Sequence, residues 1–387
     1  MKRLNKKLLL WLVASILLAG CALTLNETTP VTAVPTVFVP NVVPPGYASA
    51  TPGTIPGTAA PKWSALGLKG YLVYSLGVQG IQKLDLSNGK VTTIFKPPQD
   101  GWLTASSITP DGKQIAVAYG PPPAAGQPQL GYTSLYLLPG DCLTRDGGCT
   151  DADLKLLLDR TNTHEAYFSP VWAPDGKSLY FAHFTPSDSG SNSPFKYTLQ
   201  TMAMPGGTPK VLLQDALWPN ISPDGQHLAY VYSNPTDYTN HLLIAGPDGT
   251  NTQDLIGPKA FAAEDAPFFT PDGKKLVFSA VGEGPAVGTP TPAPALSWLD
   301  RLTGAQIAAA AADRHNVPSD WWEVDLAGGQ LTRLTKQYDT SMFGSFSPDG
   351  LHIAYLSASG LWIMGPAGGK PQRILNTNGY GTLNWIQ

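Results

Sequence analysis

From residue 70 to the C-terminus the chain alternates apolar and polar positions in short runs, each cut by a turn rich in glycine and proline. Five of these breaks share one pattern: "ITPDGKQIAVAY" from residue 108, "WAPDGKSLYFAH" from 172, "ISPDGQHLAYVY" from 221, "FTPDGKKLVFSA" from 269 and "FSPDGLHIAYLS" from 346. Each reads as the end of one strand, a tight turn and the start of the next. Proline presets φ at the second turn position, aspartate can accept bonds from nearby amides, and glycine takes the positive φ that closes the turn. The apolar and aromatic run that follows has strand propensity. Pro110, Pro174, Pro223, Pro271 and Pro348 mark the repeats, with the middle ones separated by about 48 residues, the period of a repeat architecture.

A second hairpin pattern follows each of these strands. "GIQKLDLSNGKVTTIF" (80–95), "LQTMAMPGGTPKVLLQ" (199–214), "HLLIAGPDGTNTQDLI" (241–256), "WWEVDLAGGQLTRLT" (321–335) and "GLWIMGPAGGKPQRIL" (360–375) each place a glycine turn between strand-like runs. The sixth, 134–159, has a turn enlarged by "CLTRDGGC". Six outer hairpins against five motif turns are reconciled by the ends. "GYLVYS" (70–75) reads as the second strand of a unit lacking its first, and "TLNWIQ" (382–387) as a first strand, with Trp385 in the place of Trp172. Pairing the two ends closes a ring and leaves few exposed strand edges. The expected fold is all-β, a six-bladed β-propeller over 63–387 closed by its N-terminal and C-terminal strands.

The repeated Pro-Asp-Gly signature resembles that of the TolB-like propeller family, which also occurs in the propeller domains of prolyl-oligopeptidase-type peptidases. The resemblance covers essentially 63–387. It implies the fold, and because propellers host binding, scaffolding and catalysis alike it does not imply one activity. In resembling propellers the motif turns lie on one face, and the loops between second and third strands lie on the other. Insertions at 120–132 ("GPPPAAGQPQLGY") and 282–319 fall in the second class and would decorate one face; the latter ends in an Ala-rich stretch expected to be helical.

The N-terminus changes the picture from fold to address. Lys2, Arg3, Lys6 and Lys7 precede an apolar run too short to span as a mature helix, so residues 1–20 read as a signal peptide. "LLAGC" at its end resembles a bacterial lipobox, which would make Cys21 the lipidated N-terminus; an ordinary cleaved signal is the other reading. Residues 21–62 are Pro/Thr-rich and nearly uncharged, a composition that stays extended and reads as a linker. The expected location is the extracytoplasmic face of the bacterial cell envelope, with the lipid anchor as the membrane contact. Export also implies an oxidising compartment, and Cys142 and Cys149 are spaced for a disulfide across a reversed turn. A metal there would need further ligands, and none is visible in the sequence.

The formal charge of −3 becomes more acidic once the basic signal residues are removed, which argues against a nucleic-acid partner. No Gly-x-Ser-x-Gly, His-Glu-x-x-His, phosphate loop or dinucleotide fingerprint occurs, so no catalytic residue, cofactor or metal is assigned. The residues placed ahead of the innermost strands are Trp102, His164, Glu165, Trp218, Glu264, Asp265, Phe343 and Tyr380. On the insertion-bearing face they would form an aromatic and acidic channel mouth able to hold a peptide segment, a sugar or a cationic group; packing between blades is the alternative for each. The reading favours a monomeric, non-catalytic binding or scaffold module for envelope proteins or glycans. The competing reading is a propeller-only enzyme acting on polysaccharide, a lyase or glycoside hydrolase using His164, Glu165, Glu264 and Asp265.

Overall fold

The computed structural model describes residues 63–123, 132–161, 165–187, 195–236, 239–257, 260–282, 284, 318–377 and 381–387. The signal peptide, Cys21, the linker, most of both insertions, His164 and Tyr380 lie outside these residues.

Blade 1 holds β1 (Tyr71–Ser75), β2 (Ile81–Asp85) and β3 (Val91–Phe95). Blade 2 holds β4 (Trp102–Ile108), β5 (Gln114–Gly120), β6 (Ser134–Pro139) and β7 (Lys155–Leu158). Blade 3 runs through β8 (Ala166–Trp172), β9 (Ser178–Pro186), β10 (Phe195–Ala203) and β11 (Lys210–Gln214). Next come β12 (Ala216–Ile221), β13 (Leu228–Ser233), β14 (Asn240–Ala245) and β15 (Gln253–Asp254) as blade 4. Blade 5 is β16 (Ala263–Phe269), β17 (Lys275–Val281), β18 (Asp320–Asp325) and β19 (Leu331–Arg333). Blade 6 is β20 (Phe343–Phe346), β21 (Ile353–Ser357), β22 (Gly360–Gly365) and β23 (Gly368–Leu375), and β24 (Leu383–Ile386) ends the chain.

Every blade is a four-stranded antiparallel sheet, and the first has the order β24-β1-β2-β3. The expected closure is therefore present. Tyr71 pairs with Ile386, Leu72 with Trp385 and Tyr74 with Leu383. Both insertions fall between second and third strands, from β5 to β6 and from β17 to β18, as the repeat pattern predicts.

The motif turns are built as their residues dictate. In blade 4, Asp224 Oδ1 accepts the Ser222 hydroxyl at 2.5 Å and the Gln226 amide at 3.0 Å. Ser222 takes the His227 amide at 2.9 Å, and Gly225 sits at φ 71°. Asp111, Asp272 and Asp349 repeat these contacts in blades 2, 5 and 6. Blade 3 has Ala173 where the others carry Ser or Thr, and Asp175 keeps only the Lys177 amide, at 2.9 Å.

Burial follows from strand alternation. Successive residues of a strand face opposite sides, and in a ring both sides meet a neighbouring blade. Thus Leu72 and Tyr74 pack with Leu356 and Leu361 of blade 6, while Val73 between them packs with Leu103 and Val117 of blade 2. Each seam has its own apolar cluster, which is why second strands such as β13 and β21 are apolar at consecutive positions. A polar bond recurs across three seams. Residues two before the motif proline, or its equivalent, donate their amide to a side chain three before the preceding blade's proline. The pairs are Trp172 to Ser107 Oγ at 3.4 Å, Phe269 to Asn220 Oδ1 at 3.4 Å and Trp385 to Ser345 Oγ at 3.3 Å. The closing seam uses the bond of an ordinary one.

The cysteines form a disulfide between Cys142 and Cys149, with Cα atoms 5.3 Å apart.

Candidate functional site

The innermost strand of each blade has a free edge facing the ring axis. Five residues before the motif proline, or its equivalent, this edge carries Ala105, Ser169, Trp218, Ala266, Phe343 and Thr382. All of these but Ala266, joined by Thr104 and Phe168, line a small cavity of about 10 Å³, room for about one water, that opens to solvent. In blades 3, 4 and 5 the edge is bulged: the pairing register breaks after Phe168, Leu217 and Asp265. Ser169, Trp218 and Ala266 then take φ values of 48°, 48° and 47°. Each precedes a proline, at 170, 219 and 267. Proline offers no amide to an unpaired edge, and bulges re-aim side chains at such edges. Left-handed backbone costs about 1–3 kcal/mol at a non-glycine residue and is held only where its surroundings over-determine it.

The Asp265 carboxylate contributes to that hold, since its Oδ1 accepts the Ala266 amide at 2.7 Å. The Thr382 hydroxyl accepts the Ser106 amide and donates to the Ser106 carbonyl, both at 2.7 Å, tying the C-terminal strand to blade 2. Thr104 is only 5% exposed, and its hydroxyl has no hydrogen-bond partner. Trp218, Phe343 and Phe168 make the wall aromatic. No titratable side chain is among the described residues lining this cavity.

Of the sequence-predicted mouth residues, the structure brings Trp218 and Phe343 to the axis and takes the other described ones elsewhere. Trp102 starts β4 instead of preceding it; it is buried against Gly120, with its indole Nε1 lacking a partner. Glu264 and Asp265 lie inside β16, and Trp218 lies inside β12, because the strands begin earlier than the apolar pattern suggests. The Glu264 carboxyl is 2% exposed and accepts the Leu242 amide of blade 4 at 2.6 Å. Burial pushes this carboxyl up to about 8, so it is largely neutral at pH 7.

Glu165 takes part in a network that the sequence pattern does not reveal. Its Oε2 accepts the Thr161 amide and hydroxyl, the latter at 2.6 Å, and its Oε1 lies 2.6 Å from His183 Nε2. Gln200 Nε2 is 2.9 Å from His183 Nδ1, and the imidazole stacks on Tyr167 at 4.2 Å between ring centres. With the Gln200 amide donating to Nδ1, the proton sits on Nε2 and is donated to Glu165. Burial raises the Glu165 carboxyl, but the bonds from Thr161 and His183 outweigh it and hold it below the usual glutamate range. Burial also lowers the imidazole against the opposing pull of Glu165. The sequence signal for His183 is slight: one polar residue in the apolar run of β9, opposite Tyr167 in the pairing.

Asp141 and the two sulfurs lie close enough together to suggest a metal site. The sulfurs are bonded to each other, however, and Asp141 is engaged by Arg145 at 3.0 Å. Among the described residues no helix is long and apolar enough to cross a membrane.

No protein-family model and no curated protein sequence matches the chain. Solved structures do match. TolB from Acinetobacter baumannii overlays with a TM-score of 0.52 at 16% identity, covering 80% of this chain and 65% of that one. A chain of a nidogen/laminin complex overlays at 0.53 with 13% identity, covering 81% of this chain and 97% of the other. An oligogalacturonate lyase in complex with manganese reaches 0.47 at 14% identity, covering 76% and 70%. This chain thus spans slightly less than two thirds of that TolB protein's length. At such identities the overlays establish architecture alone: the fold is a six-bladed β-propeller, as in TolB.

Proposed function

We propose that this protein is an extracytoplasmic, lipid-anchored propeller that binds envelope proteins or glycans at its insertion-bearing face without turning them over. The observation that carries the reading is the chemistry of the axis. The described residues at the cavity are aromatic, aliphatic or hydroxyl-bearing, a set that stacks and hydrogen-bonds but supplies no general acid, base or nucleophile activator. The nearby carboxylates are turned to structural use, with Glu165 on Thr161 and His183 and Asp265 on its own bulge.

The test is retention of isolated envelope proteins and of defined glycans by the purified propeller, compared with its Trp218→Ala variant. Loss of one central aromatic contact should weaken retention about tenfold or more. Unchanged retention by the variant removes the axial site, and turnover of a polysaccharide by the unmodified protein removes the non-catalytic reading. The second reading, a polysaccharide lyase or hydrolase, needs Glu264 to reach substrate, although this carboxyl is 2% exposed and bonded to the Leu242 amide. It requires that Glu264→Gln abolish an activity on polysaccharide. Anchoring is tested separately: Cys21→Ala should release the chain from the membrane fraction.

A further inference from the structure

The loop closed by the disulfide does not stay within its own blade. It leaves β6 and returns to β7, yet its second half lies along β3, the outer strand of blade 1. The Cys149 amide donates to the Ile94 carbonyl at 2.7 Å, and Phe95 and Cys149 form a parallel bridge. Gly148, at φ 72°, presses on the same strand so closely that a side-chain carbon would lie 2.5 Å from the Ile94 oxygen and 2.6 Å from the Thr93 oxygen. From the blade 1 side, the Lys83 ammonium donates to the Leu143 carbonyl. Cys142, Leu143 and Cys149 belong to the apolar cluster of the blade 1–blade 2 seam, with Ile94, Phe95 and Tyr119. Arg145 stiffens the loop through Asp141 at 3.0 Å and Asp153 at 2.7 Å.

Blade 1 is also the blade whose sheet is completed by the last strand of the chain. Its seam with blade 2 is therefore held by β24 at the inner edge and by this loop at the outer edge. Both sulfurs are hidden: Cys142 is 0% and Cys149 4% exposed. A reductant must wait for the loop to lift off β3 before it can reach them.

We propose that the Cys142–Cys149 loop is a redox-controlled clasp on the seam between blades 1 and 2. Oxidised, it pins the outer strand of blade 1. A dithiol reductant that reaches it passes two electrons and two protons to the bridge and becomes a cyclic disulfide itself. Cys142 and Cys149 become thiols, the loop loses its closed shape, and the seam opens locally while the remaining blades stay folded. Regions that open independently of the global fold are the ones a partner or a regulator can exploit.

Hydrogen exchange of the full-length protein in detergent, with and without dithiothreitol, tests this. Amides in segments 91–95 and 142–149 should exchange about tenfold faster or more after reduction, while those of β12 and β13 keep their protection. A Cys142→Ser, Cys149→Ser double variant should match the reduced protein. Gly148→Val keeps the sulfurs but cannot dock, so its bridge should be reduced by dithiothreitol about tenfold faster than the native one. Unchanged exchange at 91–95 with both thiols verified by mass overturns the proposal. So does exchange that rises equally in all blades, because the bridge would then only add global stability.

Discussion

At the scale of single residues, Glu264 shows how position sets chemistry. A carboxyl that titrates near 4.5 when solvated is pushed to about 8 by burial between two blades. Between those values the folded chain keeps a proton that the unfolded chain releases, so this group lowers stability as pH rises from 4.5 to about 8. Glutamine can still accept the Leu242 amide but has nothing to ionise. Glu264→Gln should therefore gain stability relative to the native chain when denaturant midpoints are compared at about pH 9 instead of about pH 5. A midpoint difference independent of pH would show that the carboxyl is charged throughout. Glu165 behaves oppositely, since its bonds hold it ionised below the ordinary glutamate range. Two glutamates that look alike in the sequence are thus separated by their partners.

At the scale of the element, the motif turn is a small hydrogen-bonded unit whose strength varies from blade to blade. Asp224 accepts both a hydroxyl and an amide, whereas Asp175 accepts an amide alone because Ala173 offers no hydroxyl. Asp224→Ala should accordingly cost about 1–2 kcal/mol and Asp175→Ala about 1 kcal/mol or less, measured by chemical denaturation. Equal costs would mean that the hydroxyl bond adds nothing to the turn. The inner strands show the limit of reading such units from propensity. Ser169, Trp218 and Ala266 sit in left-handed backbone before prolines, a state that local preference disfavours. The free edge at the axis makes it acceptable, since proline leaves no amide there without a partner.

At the scale of the molecule, the ring is a chain of seams, and the last of them depends on seven described residues, 381–387. Trp385 is 8% exposed, and its indole donates to the Lys69 carbonyl at 2.9 Å. Thr382 reaches blade 2, and the Trp385 amide reaches blade 6. Deleting 381–387 removes these contacts together and leaves β1 with an unpaired edge, an aggregation hazard. The truncated chain should lose the single cooperative thermal transition of the full propeller and associate at concentrations where the full chain does not. Calorimetry and light scattering report the two effects. A truncated chain that melts like the native one would mean that β24 is dispensable for closure.

The turns, the number of blades, the closure by "TLNWIQ", the class of loop that received the insertions and the cysteine pair were all legible along the chain. These rest on φ preferences at turns, short-range spacing and the count of a repeated unit, all of which can be read along the chain. Which residues reach the axis, that Glu165 faces His183, that Glu264 is sealed into a seam and that the disulfide loop lies on blade 1 emerge only from the folded ring. Each of these depends on register breaks in a strand or on contact between blades. The forces that set them act across the ring between residues far apart in the sequence, where pattern carries no distance.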